Sequence, residues 1–177
     1  MIKNNKAEFM ISTGNIMRII DNMKQKIPYC EPIMTDNILR RRLYQVSSGD
    51  ADKDQIKWIR ILEGDIDCDG AQKCTITYKD KRKDMSEEDY AMLKVESFDD
   101  ANHLFSLLGF KCTSYQENRR SKFVCKLDHV KYILIFDIWP KIEDIVFVSV
   151  NVMSSANQES INDFVSALEL DVYNKCT

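Results

Sequence analysis

Lys57-Trp58-Ile59-Arg60-Ile61-Leu62-Glu63 alternates along its length, with Ile59 and Ile61 on one side and Trp58, Arg60 and Leu62 on the other. Period-two alternation marks a strand, because successive side chains leave opposite faces of the pleat. If Ile59 and Ile61 pack beneath helices, Arg60 points the other way, into whatever the sheet encloses. Thr75-Ile76-Thr77-Tyr78-Lys79 repeats the pattern, and Lys79 shares a face with Thr75 and Thr77. Two strands therefore each turn a cation away from their apolar side.

Working outward, residues 37–46, 55–63 and 73–79 are three strand-like runs. Ser47-Ser48-Gly49-Asp50 and Gly64-Asp65-Ile66-Asp67-Cys68-Asp69-Gly70 separate them. Upstream, residues 7–12 alternate as a half-buried strand with Ala7, Phe9 and Ile11 on one face. Ser12 or Thr13 caps a helix carrying Ile16, Ile19, Ile20 and Met23, which ends before Pro28 and leaves Pro32 in a loop. Downstream, a charged connector over 80–85 leads to a strand over 90–95. Asp99 then caps a short helix with Ala101, Leu104, Phe105 and Leu108, stopped by Gly109. Further strands fall near 111–116, 122–125 with 132–137, and 145–152. A last helix, 158–168, carries Ile161, Phe164, Val165 and Leu168 on its apolar side. The order strand, helix, three strands occurs twice. Short connections between strands predict an α+β fold, a mostly antiparallel sheet or barrel with helices packed outside.

The chain's 177 residues are enough for one domain, expected over 1–177, with a sizeable core. A formal charge of −3 gives no global attraction to nucleic acid or anionic membrane. The longest apolar runs, 132–136 and 145–150, are of strand length, so no membrane association is expected. Met1-Ile2-Lys3-Asn4-Asn5-Lys6 has no apolar stretch behind its charges, so no secretory signal is expected. Six cysteines without a C-x-x-C pair, and only two histidines, argue against zinc and toward free thiols in the cytoplasm.

Asp65-Ile66-Asp67-Cys68-Asp69-Gly70 imitates the start of a calcium loop, but its twelfth position is Ile76 rather than Glu, so it reads as a solvated turn. Lys79-Asp80-Lys81-Arg82-Lys83 reads as a solvated connector, with Lys79 as the exception at a strand's end. Arg40-Arg41-Arg42 lies inside a strand. Alternation groups Arg40, Arg42 and Tyr44 on one face and Leu39, Arg41 and Leu43 on the other. Arginines facing a sheet interior need a wet interior or an anion. With Arg60, Lys79 and the Asn118-Arg119-Arg120 segment, several strands would deliver cations to one lumen suited to a linear triphosphate. The alternative is that these residues pair with the 28 acidic ones. His103 reads as a surface residue, and Asp137 as either a strand-end turn former or an inward-facing acid.

These pieces resemble the CYTH family, the triphosphate tunnel group of class IV adenylate cyclases, thiamine triphosphatases and tripolyphosphatases. The resemblance runs over about residues 7–170. Residues 57–63 are like the family's L-R-I-R-E strand, 75–79 like its L-T-x-K strand, and 98–110 like its helix ending in L-G-F. Asn118-Arg119-Arg120 stands where the family has K-x-R, and 133–140 is like its strand ending in D-x-x-P. The resemblance implies an eight-stranded antiparallel β-barrel, the tunnel, whose inward Lys and Arg bind a triphosphate while inward carboxylates hold Mg or Mn. On it, Arg42, Arg60, Lys79 and Arg120, with Arg40 beside them, are the phosphate-binding candidates. Glu8, Glu88 and Asp137 are the metal candidates, and Tyr44 or Tyr90 would stack on a base.

The departures are chemical. The family's E-x-E-x-K falls on Glu8, Met10 and Ser12; its middle E-x-E falls near Tyr90 and Met92; its late E-x-E falls on Ser149 and Asn151. The second Arg of R-I-R is Leu62. Mg²⁺ is held by carboxylates together with substrate phosphate, so losing them while keeping cations favours binding over turnover. The expected function is a triphosphate- or nucleotide-binding domain, weakly or non-catalytic. One alternative is a metal-dependent triphosphatase or nucleotidyl cyclase using Glu8, Glu88 and Asp137. Another is a protein-interaction module on the same barrel. A nucleic-acid 5′-triphosphate end also suits the cradle.

Overall fold

The computed structural model describes residues 6–46, 55–82, 88–153 and 158–176. The elements are β1 (Lys6–Ser12), α1 (Ile16–Lys26), β2 (Tyr29–Gln45), β3 (Gln55–Gly64), β4 (Lys73–Arg82), β5 (Glu88–Val95) and α2 (Phe98–Leu107). They continue with β6 (Cys112–Leu127), β7 (Val130–Ile138), β8 (Ile145–Val152), α3 (Gln158–Ala167) and β9 (Asn174–Lys175). The expected 47–50 turn and the connector beyond residue 82 up to residue 87 lie outside the described residues, as do the side chains of Glu88 and Tyr90. Among the described residues no helix is long and apolar enough to cross a membrane.

The α+β class holds, but the eight-stranded closed barrel is corrected. Among the described residues nine strands pair in the order β5-β4-β3-β2-β6-β7-β8-β1-β9, with β5 and β9 at the two ends, so the ladder is not closed. The added strand β9 has two residues, Asn174 and Lys175, lying against Met10 and Phe9. A two-residue strand has no periodicity to detect.

The chain divides into two compact units. The first comprises Met1–Asn37 with Asn118–Thr177, and the second Ile38–Glu117. In the first, one face of the sheet buries Ala7, Phe9 and Ile11 of β1, Tyr132, Leu134 and Phe136 of β7, and Val146, Val148 and Val150 of β8. Helices α1 and α3 cover that face with Ile19, Met23, Ile161, Phe164 and Val165, and Leu168 follows just after α3. Tyr132 stacks on Phe164 with ring centroids 4.1 Å apart, and its hydroxyl donates to the Ser160 carbonyl oxygen at 2.9 Å. The β6–β7 hairpin turns at Asp128 and His129, both at positive φ (48° and 67°). That pair of left-handed residues is the mirror-image turn that suits strand twist.

Three local expectations in or beside this unit change. Pro32 lies inside β2 rather than in a loop, on a stretch whose β3 side is open, since among the described residues β3 pairs with residues 40–45 of β2. Residues 111–116 and 122–125 belong to one strand, β6, which runs straight through Asn118-Arg119-Arg120. Arg119 pairs with Asp36, and Arg120 with Asp137, so these charges sit in the strand without breaking it. Ser12, expected as a cap, accepts from the Gly14 N–H at the short turn before α1.

Glu169, just after α3, stands in the left-handed region at φ 57° and draws together two cations of α1. Lys26 Nζ lies 2.7 Å from its Oε1, Arg18 Nε donates to Oε2 at 3.0 Å, and these bonds, Lys26 first, lower its carboxyl to about 2. A depressed carboxylate contributes stability above its unfolded value and loses it as pH falls. The stability gap between the native protein and Glu169→Gln should therefore be full above pH 4.5 and close as pH falls toward about 2. Melting temperatures of both proteins across that interval check this; a gap that stays constant would remove Glu169 from the pH response.

In the second unit, α2 covers one face of β2–β4. Tyr44, Ile59, Ile61, Cys74, Phe98, Ala101 and Phe105 form its core. The helix is capped by Ser97, whose hydroxyl accepts from the Asp100 N–H at 3.1 Å; Asp99, the expected cap, lies in the first turn, where its charge suits the helix dipole. Gly109 at φ 81° ends it. Asp65 is buried and accepts from the backbone N–H groups of Asp69 and Gly70 at 3.0 and 3.1 Å. Lys73 Nζ bridges Asp67, at 2.9 Å, and Asp69. A lysine ammonium thus stands among the acids of the calcium-like stretch, as fits a self-contained turn.

Candidate phosphate-binding face

Residues directly opposed in an antiparallel ladder share a face, so the register of the second unit decides where each cation points. On β2 and β3, Arg42 lies opposite Ile61, Tyr44 opposite Ile59 and Arg40 opposite Glu63. Since Ile59 and Ile61 are buried against α2, Arg40, Arg42 and Tyr44 are on the helix-covered face. Contacts agree. The Arg40 guanidinium pairs with Glu63 and stacks 4.6 Å from the Phe98 ring of α2. Tyr44 is 1% exposed, stacks on Phe105 and donates its hydroxyl to Asn102 Oδ1 at 2.7 Å. Arg42 lies 5.4 Å from the Tyr115 ring.

The placement of Arg40 and Arg42 in one lumen with Arg60 is therefore corrected, and so is Tyr44 as a base-stacking residue. The alternation of the run is as expected, but the face that joins Arg60 is the one carrying Arg41 and Leu43. Arg41, which alternation alone does not single out, lies opposite Leu62, which shares its face with Arg60. The signal for it was non-local: only the β2–β3 register tells which half of Arg40-Arg41-Arg42 turns away from α2.

On the face opposite α2 the register makes three rows. The first is Arg41, Leu62, Thr75 and Lys94; the second is Leu43, Arg60, Thr77 and Met92; the third is Gln45, Trp58 and Lys79. Arg41, Arg60 and Lys79 thus descend one row per strand and form a diagonal stripe. Diagonal neighbours in a sheet stand about 7–8 Å apart, within reach of long side chains. No Asp or Glu occurs in these three rows. Trp58 braces the lower end: the Arg60 guanidinium carbon and Lys79 Nζ each lie 5.6 Å from its ring centroid. Opposite Arg60 in the ladder, Thr77 is 0% exposed, and its Oγ1 has no hydrogen-bond partner among the described residues. A buried hydroxyl without a partner is unfavourable by about 1–3 kcal/mol unless a ligand supplies one.

The first unit holds the other candidates. Arg120 Nε and Nη2 donate to the two Asp137 carboxylate oxygens, both at 2.6 Å, and Asn118 Nδ2 donates to Asp137 Oδ1 at 2.5 Å. Asp137 is 7% exposed and Asn118 is buried, so Asp137 faces the side of β7 away from the helices and is fully engaged there. Glu8 lies opposite Ser149 on β8, accepts from its hydroxyl at 3.0 Å and pairs with Lys6 at 2.6 Å. The Lys6 bond holds the Glu8 carboxyl below its usual range against partial burial, with Ser149 adding to the effect. Glu8 and Asp137 do share a face. Two strand spacings and one row separate them, however, because Ser149 lies opposite Ile135 while Asp137 lies opposite Phe147. Among the described residues no group of three His, Cys, Asp or Glu is placed to hold a metal. Among the described side chains, Glu8 and Asp137 do not make a site for Mg²⁺ or Mn²⁺: Asp137 offers oxygens already taken by a guanidinium, and Glu8 stands apart, bonded to Lys6. Glu88 lies opposite Lys81 in the ladder. His103 is exposed, as expected.

No protein-family profile matches the chain, and no curated protein matches it. Solved structures do. One is a Vibrio parahaemolyticus protein, 13% identical with TM-score 0.59, aligned over 93% of this chain and 88% of the other. Another is a Bacillus halodurans protein, 13% identical with TM-score 0.52, aligned over 94% and 90%. Each of the two is described as a "putative adenylate cyclase". At this identity the likeness concerns the fold: the chain has the fold of these cyclase-like structures.

Proposed function

We propose that the protein is a divergent CYTH-like domain that binds a triphosphate-bearing small molecule, such as a nucleotide, without efficient turnover. The observation that carries this reading is the diagonal stripe of Arg41, Arg60 and Lys79 beside the buried Thr77 hydroxyl, which has no hydrogen-bond partner among the described residues. A linear polyanion matches a line of cations better than a cluster. Guanidinium forks meet phosphate oxygens two at a time, Lys79 adds a point charge, and the Thr77 O–H donates to a phosphate oxygen. The fold of cyclase-like structures supports the choice of ligand class. The engagement of Asp137 by Arg120 and Asn118 supports binding over metal-assisted hydrolysis.

Thermal unfolding with tripolyphosphate, ATP, GTP and thiamine triphosphate, each with Mg²⁺, with Mn²⁺ or with EDTA, tests the proposal. The melting temperature should rise with at least one of them, the rise should persist in EDTA, and Arg60→Ala should reduce it. On the scale of a charge-assisted hydrogen bond, Arg60→Ala weakens binding by about 1.5–3 kcal/mol. A rise that requires metal, accompanied by phosphate or pyrophosphate release, would favour a triphosphatase or cyclase instead. No shift with any polyphosphate would favour a protein-binding module.

A further inference from the structure

The thiols of Cys30 and Cys125 meet across neighbouring strands of the first unit. Cys30 is in β2 and Cys125 in β6, which are adjacent in the sheet. Two contacts show how these strands are matched. Lys126 Nζ lies 4.8 Å from the Tyr29 ring centroid, and Arg119 Nε donates to Asp36 Oδ1 at 2.7 Å. An antiparallel match of 29 with 126 and 36 with 119 sets residue 30 against residue 125. The Cys125 S–H donates to the Cys30 sulfur across that position. Directly opposed residues have Cα atoms about 4.5–5.5 Å apart, inside the span of about 4.4–6.8 Å that a disulfide bridges.

The two sulfurs differ in access. Cys125 is 0% exposed within the core of the unit, while Cys30 is half-buried at the edge of that core. The Cys125 hydrogen bond lowers the Cys30 thiol, with burial opposing, and the same bond together with burial raises Cys125. Thiolate character thus gathers on the sulfur that a reagent reaches first.

We propose that Cys30 and Cys125 are a modification site, a dithiol that a low-molecular-weight disulfide such as glutathione disulfide oxidises to a cross-strand disulfide. The Cys30 thiolate attacks one sulfur of glutathione disulfide, breaking its S–S bond and releasing one glutathione thiolate. Cys125 then gives up its proton and attacks the Cys30 sulfur, expelling the second glutathione. The protein loses two electrons and two protons, and the oxidant becomes two glutathione molecules. The second step is intramolecular, since the resolving sulfur is already in contact. It is also relieved of the Cys30 negative charge once the mixed disulfide has formed.

The folded protein is incubated with glutathione disulfide, quenched by alkylation, and mapped by peptide mass spectrometry without reduction. The expected product is a Cys30–Cys125 cross-linked peptide, with the intact mass lowered by two hydrogens and the melting temperature raised. Cys125→Ala, which removes only the resolving sulfur, should instead accumulate the mixed glutathione disulfide at Cys30. Cys30→Ser should leave Cys125 unmodified while the protein is folded. Should either variant fail to fold, the order of alkylation in the unsubstituted protein, Cys30 well before Cys125, is the second readout. Stable glutathione on Cys30 with no cross-link to Cys125, or equal alkylation of both thiols, would overturn the proposal.

Discussion

Asp137→Ala lowers stability by about 3 kcal/mol, the lower end of what removing one partner of a buried ion pair costs. The lower end applies because the Arg120 side chain keeps 24% of its surface exposed, against 10% for Asp137. Truncation leaves the guanidinium of Arg120 and the amide of Asn118 facing a gap where two carboxylate oxygens stood. Urea unfolding should show a lower midpoint with an unchanged slope, the signature of lost stability without a change in exposed surface. Asp137→Asn keeps the shape and one acceptor, so it should lose less. Replacing Arg120 and Asp137 together by Met and Leu should recover much of the loss, because no charge is then stranded. Were Asp137 chiefly a metal ligand, its substitution would change metal dependence and leave stability nearly untouched.

Phe164→Ala has the largest expected effect, a loss of about 3–5 kcal/mol. The ring is 0% exposed and stacks on Tyr132 with an interplanar angle of 15°. Ile161, Val165 and Leu168 close the same core from α3 and the residue just after it. Removing the ring leaves a cavity between α3 and the sheet that these neighbours fill only in part. It also takes the stacking partner from Tyr132, whose hydroxyl is anchored on Ser160 at the start of the same helix. A midpoint shift in urea as small as that of an exposed-residue control would show that α3 is not seated as described.

Much of this architecture was legible because period-two and helical alternation are local. Ile59 and Ile61 against Arg60, and Thr75 and Thr77 with Lys79, read correctly from spacing alone, and so did the helices from Ile16 and from Gln158. Three features were not legible, each for a physical reason. Arg40-Arg41-Arg42 carries no apolar contrast within the run, so its inward half is decided by pairing of Arg42 with Ile61, a partner 19 positions away in sequence. Strand β6 crosses Asn118-Arg119-Arg120, where charge hides the alternation, and it stays a strand because Asp36 and Asp137 neutralise those arginines. Closure of a barrel depends on which strands lie at the edges, and the two-residue β9 that caps β1 leaves almost no pattern. For the candidate site, residue types announced a cation-rich face. Membership of that face was a matter of register, and a one-residue difference exchanged Arg41 for Arg42.

The face assignment and the ligand class meet in one experiment, calorimetric titration of tripolyphosphate in EDTA into the native protein, Arg41→Ala and Arg42→Ala. Arg41→Ala should weaken binding about tenfold or more, the scale of a lost charge-assisted hydrogen bond. Arg42→Ala, on the face beneath α2, should bind as the native protein does. Equal affinity of Arg41→Ala and the native protein, with the loss falling on Arg42→Ala, would contradict the site; absence of binding in all three would contradict the function.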